Sequence, residues 1–133
     1  MFLELLNDEK KFLFLHLAAN AANTNGVLEE SERQLLGMYA KQMDVEMIEK
    51  SDIPLDILLE RLNDICDFNE KKVILFELIG VIFADKEYDE SEKMFLDNIG
   101  DKFGISNDMI ETMVLLMKEY IDLYNRTVES ILQ

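Results

Sequence analysis

The chain has one cysteine, one proline, one histidine and five glycines, and it has no tryptophan. Each shortage excludes something. Cys66 alone cannot form an intramolecular disulfide or a cysteine zinc cluster. His16 alone cannot build a histidine-rich zinc or copper site. With Pro54 as the sole proline, the material for the frequent turns of an all-β protein is missing. Long apolar runs are missing too. The longest, residues 73–84, is interrupted by Glu77 and is too short to span a bilayer. The first residues lack the basic stretch of a secretory leader, so a soluble, cytoplasmic protein is expected. No GxGxxG, phosphate-binding glycine loop, HExxH or GxSxG occurs, and no enzymatic activity is expected.

What is present is acid. Asp and Glu number 28 against 13 Lys and Arg, for a net charge of −15. Only Arg33, Arg61 and Arg126 supply guanidinium groups. Such a field repels phosphate backbones and anionic membrane surfaces, which argues against nucleic-acid binding and direct membrane insertion. It favours cations, a protein partner with a basic surface, and solubility. Hydrophobic residues make up 49% of the chain, including 8 Met and 8 Phe, enough for one core in one domain spanning residues 1–133.

Apolar residues recur at helical spacing almost throughout, which predicts an all-α bundle of about six helices. The first runs from Asn7 or Asp8 to about residue 24, with Phe12, Leu15, Ala19 and Ala22 on its inner face. The second covers about 30–43, and 44–53 is the least regular stretch. Pro54 fits the first position of a third helix striped by Leu55, Leu58, Leu59, Leu62 and Ile65. The fourth, about 68–84, is apolar on nearly every side, as in a helix central to a bundle or half-covered by another subunit. Asp89 with Glu92 forms a capping box for the fifth, which stops at Gly104. Ser106 caps a long last helix whose stripe includes Met109, Ile110, Met113, Met117, Tyr120, Ile121 and Tyr124.

Laid on itself at an offset of 60, the chain matches: residues 25–33 fall on 85–93, with the same charge or identity from Glu29 onward. The flanks agree, Leu15, Ala19 and Ala22 falling on Leu75, Ile79 and Ile82, and Leu36, Tyr39 and Met43 on Leu96, Ile99 and Phe103. Two helix–loop–helix units, about 12–45 and 72–105, are expected to pair about a pseudo-twofold axis.

An apolar helix, a short acidic loop and an acid-acid-x-Glu helix start, used twice, resembles the tellurite-resistance TerB-like domains. The first copy runs from Asn23 through Asn25-Gly26 to Glu29-Glu30-Ser31-Glu32, and the second from Asp85 to Asp89-Glu90-Ser91-Glu92. The likeness covers about 10–105. Asn25 stands where the family favours Asp, and Lys86 where it favours Gly. The resemblance implies a non-enzymatic stress-response or interaction module, linked to tellurite resistance, metal sensing and assembly with other proteins.

Glu29, Glu32, Asp85, Asp89 and Glu92 are the candidate metal ligands, their hard oxygens suiting calcium or magnesium. The competing reading is helix capping, each acid contributing roughly 0.3–1 kcal/mol at a helix N-terminus. An EF-hand is not expected, because Ala21 stands where the first Asp ligand belongs. His16 is expected to be a satisfied, partly buried side chain, Cys66 a small core residue, and Glu77 to lie on a thin exposed strip with Gly80 and Ala84. The alternative function is a structural assembly domain that homodimerises through the fourth or last helix, without a metal site.

Overall fold

The computed structural model describes residues 2–23, 30–83 and 88–132, whose regular structure is helical, with no strand among them. A 3-10 turn, Leu3–Leu5, precedes α1 (Asp8–Ala22), α2 (Glu30–Gln42), α3 (Leu55–Ile65), α4 (Phe68–Ile82), α5 (Glu90–Phe103) and α6 (Asn107–Ile131). None of these helices is long and apolar enough to cross a membrane.

Caps set the helix starts. The side chain of Asn7 accepts from Lys10 N at 3.0 Å and opens α1. Asp67 and Glu70 form a reciprocal capping box on α4, and Asp89 and Glu92 form one on α5. Ser106 accepts from Met109 N and opens α6. Pro54 sits one residue earlier than expected. Its ψ of 144° is extended, so it is the N-cap of α3 rather than its first helical residue. The 44–53 segment contains no helix, only turns and bends.

Two helices end in the same way. After α2, Asp44 has φ 54° and Val45 N donates to Ala40 O at 3.0 Å; after α5, Gly104 has φ 72° and Ile105 N donates to Gly100 O at 2.8 Å. Both are six-to-one closures around a left-handed residue. α1 and α4, each 15 residues long, also begin and end sixty positions apart.

α4 is central: it packs on α1, α2, α5, α6 and the 3-10 turn. Ile74, Leu75, Leu78, Ile79, Val81 and Ile82 are all fully buried. Each such side chain contributes roughly 1.5–3 kcal/mol relative to exposure. α1 is buried without a break from Leu13 to Ala19. The expected inner position of Phe12 is therefore wrong: it is 45% exposed and rests edge-on against His16, at 4.7 Å between centroids. On so enclosed a helix, Phe12 falls on the narrow face left to solvent.

α6 also differs from expectation. Ile110, Met113 and Met117 are buried, but Met109, Tyr120 and Tyr124 are exposed. Its packed face is turned away from theirs, and beyond Met117 no residue of the helix is buried.

Candidate functional site

Of the five predicted ligands, Glu29 and Asp85 lie outside the described residues, as do the calcium-loop positions from Asn25 to Leu28. The other three are helix-start residues. Glu32 and Glu92 hold the third position of α2 and α5 and are buried, at 1% and 2% exposure. Asp89 accepts from Glu92 N at 2.9 Å and from Ser91 Oγ at 2.7 Å, while Glu92 Oε1 accepts from Asp89 N at 3.1 Å. The Ser91 hydroxyl and then the Glu92 amide hold the Asp89 carboxyl below its ordinary range. Among the described residues, no group of three or more His, Cys, Asp or Glu is placed to hold a metal. The structure brings together Asp89 and Glu92 as a cap.

His16 has a Ser and an Asp beside it, an arrangement that invites comparison with a nucleophilic triad. Ser51 Oγ lies 2.8 Å from Nδ1, and Asp52 Oδ1 lies 3.9 Å from that same nitrogen. A triad needs the nucleophile and the carboxylate on opposite ring nitrogens. Moreover, Ser51 Oγ donates to Ile53 O at 3.2 Å and accepts from Ile53 N at 3.1 Å, so its proton is engaged in a local turn. The cluster ties the 44–53 segment onto α1. Burial pushes the imidazole below its ordinary pKa of 6.5, against a smaller opposing pull from Asp52.

Glu77 does not lie on an exposed strip; this expectation is overturned. It is 4% exposed, with Oε1 accepting from Phe2 N at 2.7 Å and Oε2 from the Tyr39 hydroxyl at 3.3 Å. Tyr39 stacks edge-on against Phe14, at 5.3 Å between centroids. Burial and then the Glu77 charge push the Tyr39 phenol far above its ordinary value, so it remains a donor throughout the working pH range. A carboxylate deep in an apolar helix thus clamps the N-terminal segment, and Leu3 and Leu6 are buried behind it.

The clamp shapes one surface. Phe2 packs on Phe76, at 6.2 Å between centroids, and with Leu5 forms one wall of a groove of about 650 Å3. Val73 and Phe76 of α4 and Met109, Met113, Leu116 and Tyr120 of α6 complete its apolar lining. Leu5 is 65%, Leu116 50% and Tyr120 47% exposed. Among the described residues, Lys72 is the one charged residue along it. Sequence reasoning singled out α4 and α6 as faces another subunit could cover; it missed the part played by Phe2 and Leu5, which no periodicity marks.

No family matches. Searches of protein-family models, curated proteins and solved structures each return nothing similar to this chain. The site must be judged on its own chemistry. An open apolar trough with a single lysine suits the apolar face of a helix. Its other polar lining among the described residues is Asn69, the Tyr120 hydroxyl and Thr112, whose hydroxyl is bonded within its own helix, little with which to orient a small substrate.

Proposed function

We propose that the protein is a non-enzymatic helical interaction module, TerB-like in build, whose working surface is the groove between α4, α6 and the clamped N-terminal segment. The observation that carries this is the gathering of exposed Phe2, Leu5, Met109, Leu116 and Tyr120 along one trough, whereas exposed apolar side chains such as Met38, Ile57 and Met94 lie outside it. The TerB-like reading draws support from the matched ends of α1 and α4 and from the paired left-handed closures at Asp44 and Gly104. A pseudo-twofold pair of repeats, and a role in a stress response, belong to that same proposal.

A fluorescently labelled, net-neutral helical peptide of about fifteen residues with one leucine face tests it. Saturable binding is expected, and Leu116→Glu abolishes it while helical content is kept. Absence of binding at concentrations where the chain is monomeric would sink the groove as a working surface. Saturable calcium or magnesium binding that Glu92→Gln removes, with no peptide binding, would install the competing cation reading.

A further inference from the structure

The face that α6 leaves uncovered has a spacing of its own. Met109, Met113, Leu116, Tyr120, Tyr124, Thr127 and Ile131 succeed one another at intervals of 4, 3, 4, 4, 3 and 4 residues, and of these Met113, though it lines the groove, is already buried on the core. That series reads the same in both directions, with Tyr120 at its centre. An apolar helical face with such symmetry is complementary to itself when two copies run antiparallel. Ile131 then meets Met109 of the other copy, Thr127 meets Met113, Tyr124 meets Leu116, and the two Tyr120 residues meet at the axis.

We infer that the occupant of the groove is a second copy of this chain, docked through an antiparallel α6–α6 pairing. The inference rests on the groove being the working surface. In this pairing the second half of each α6 lies along the trough that the other copy builds from α4, the first half of α6, Phe2 and Leu5.

Several observations favour this occupant over a basic partner. Among the described residues the groove's one charged lining residue is Lys72, which offers a basic surface nothing to bind. Residues 118–132 carry Lys118 and Arg126 against Glu119, Asp122 and Glu129, close to neutral in a chain of −15. None of the seven residues of the face is an acid, so this is a face on which two like-charged copies can approach. Length fits as well. α6 has 25 residues and its last buried one is Met117, which leaves a projecting second half about 21 Å long. Thr112 and Thr127 donate their hydroxyl protons to Asp108 O and Leu123 O of their own helix, so these donors are already satisfied if the face is covered.

The area is adequate. Tyr124 is 60% and Ile131 72% exposed, and with Leu123, Leu116, Tyr120, Phe2 and Leu5 the uncovered apolar surface is on the order of 700 Å2 per copy. A stable standard interface takes about 800 Å2 from each partner.

The test is mass by sedimentation as protein concentration is raised, together with engineered thiols. Mass is expected to rise from 15.5 kDa toward twice that, and to do so at lower concentration in high salt, which screens the repulsion between acidic copies. Tyr120→Glu, at a half-exposed position that the monomer fold does not need, weakens association at least about tenfold with unchanged helical content. Tyr120→Cys cross-links to itself on oxidation. Ile131→Cys does not, but the Met109→Cys/Ile131→Cys double variant does. Cys66 is buried and does not compete.

Self-linking of Ile131→Cys together with failure of the double variant would overturn the antiparallel pairing. A chain that stays at 15.5 kDa at all concentrations overturns self-docking. If that monomer still binds the leucine-faced peptide, the groove stands as an interaction site and only its occupant was wrong. If it binds neither, both proposals fall.

Discussion

Lys10 and Glu70, sixty positions apart, hold the same third position of α1 and α4, and their side chains meet at 2.6 Å. Glu70 does two things at once. Its Oε1 accepts from Asp67 N, completing the capping box of its own helix, and its Oε2 accepts from the Lys10 ammonium. One carboxylate therefore closes a helix start and fastens the beginnings of the two central helices together.

Glu70→Ala should consequently cost more stability than Lys10→Met, because only the first leaves Asp67 N without its cap. A double-mutant cycle read by urea unfolding should give a non-zero coupling that shrinks with added salt. Equal costs for the two single variants would show that the cap contributes nothing beyond the ion pair. The hydrogen bond to Glu70 raises the Lys10 pKa above its ordinary 10.5. The Lys10 ammonium is therefore fully charged at neutral pH, and on the alkaline side the pair is lost as pH climbs past that value.

The paired closures give a second prediction with opposite signs at its two sites. Gly104 has φ 72°, and a Cβ built there meets no atom within 4 Å. The cost of Gly104→Ala is thus conformational alone, about 1 kcal/mol. Asp44 already occupies the same region at φ 54°, so Asp44→Gly should stabilise by a smaller amount, below about 1 kcal/mol. Thermal unfolding of both variants checks this. A stabilised Gly104→Ala would mean that the turn relaxes out of the left-handed region.

Much of the helical architecture was legible because periodicity and caps are local. Asn7, Asp89, Gly104 and Ser106 each do in the structure what their residue type predicts within four positions of sequence. What failed was non-local. Phe12 was misassigned because α1 is enclosed on most of its circumference, so a stripe cannot say which residue faces water. Tyr120 and Tyr124 lie on the expected stripe yet are exposed, because the apolar arc of α6 is wider than the face its own chain covers. Glu77 draws its partners from 38 and 75 positions away, separations that no pattern in a single helix can display. The acidic candidates are visible as acids, and in the structure Asp89 Oδ1 and Glu92 Oε1 accept one another's backbone amides as a helix cap.

His16 predicts a pH dependence. Burial lowers its pKa in the folded chain below 6.5, so the unfolded chain binds the extra proton first as pH falls. Its contribution is fully present above pH 6.5 and is lost as pH drops through that value toward the folded pKa. Most carboxylates titrate below about pH 5, so the window from about 7.5 to 5.5 isolates the imidazole. The urea midpoint of the wild type should fall across that window, and that of His16→Gln should fall less. Parallel curves would show that His16 is protonated with equal ease in both states.

The Glu77 clamp makes the strongest stability prediction and links it to the groove. Glu77→Ala removes the acceptor for Phe2 N and for a Tyr39 hydroxyl buried in apolar surroundings, and leaves a void in the central helix. Loss of a buried hydrogen-bonding centre of this kind costs about 2–4 kcal/mol. Tyr39→Phe removes only the 3.3 Å bond from the phenol and should cost about 1 kcal/mol. The two variants separate clamping from general destabilisation. In Glu77→Ala the amides of residues 2–6 should exchange faster than those of α4 and α5, because the segment loses its anchor before the bundle opens. Phe2 and Leu5 would then cease to wall the groove, and binding of the leucine-faced peptide should weaken even under conditions where circular dichroism shows the bundle folded. In Tyr39→Phe, with the Phe2 bond intact, both exchange and peptide binding should stay near wild type. Equal protection of residues 2–6 in wild type and Glu77→Ala would show that burial of Leu3 and Leu6, rather than the carboxylate, holds the segment in place.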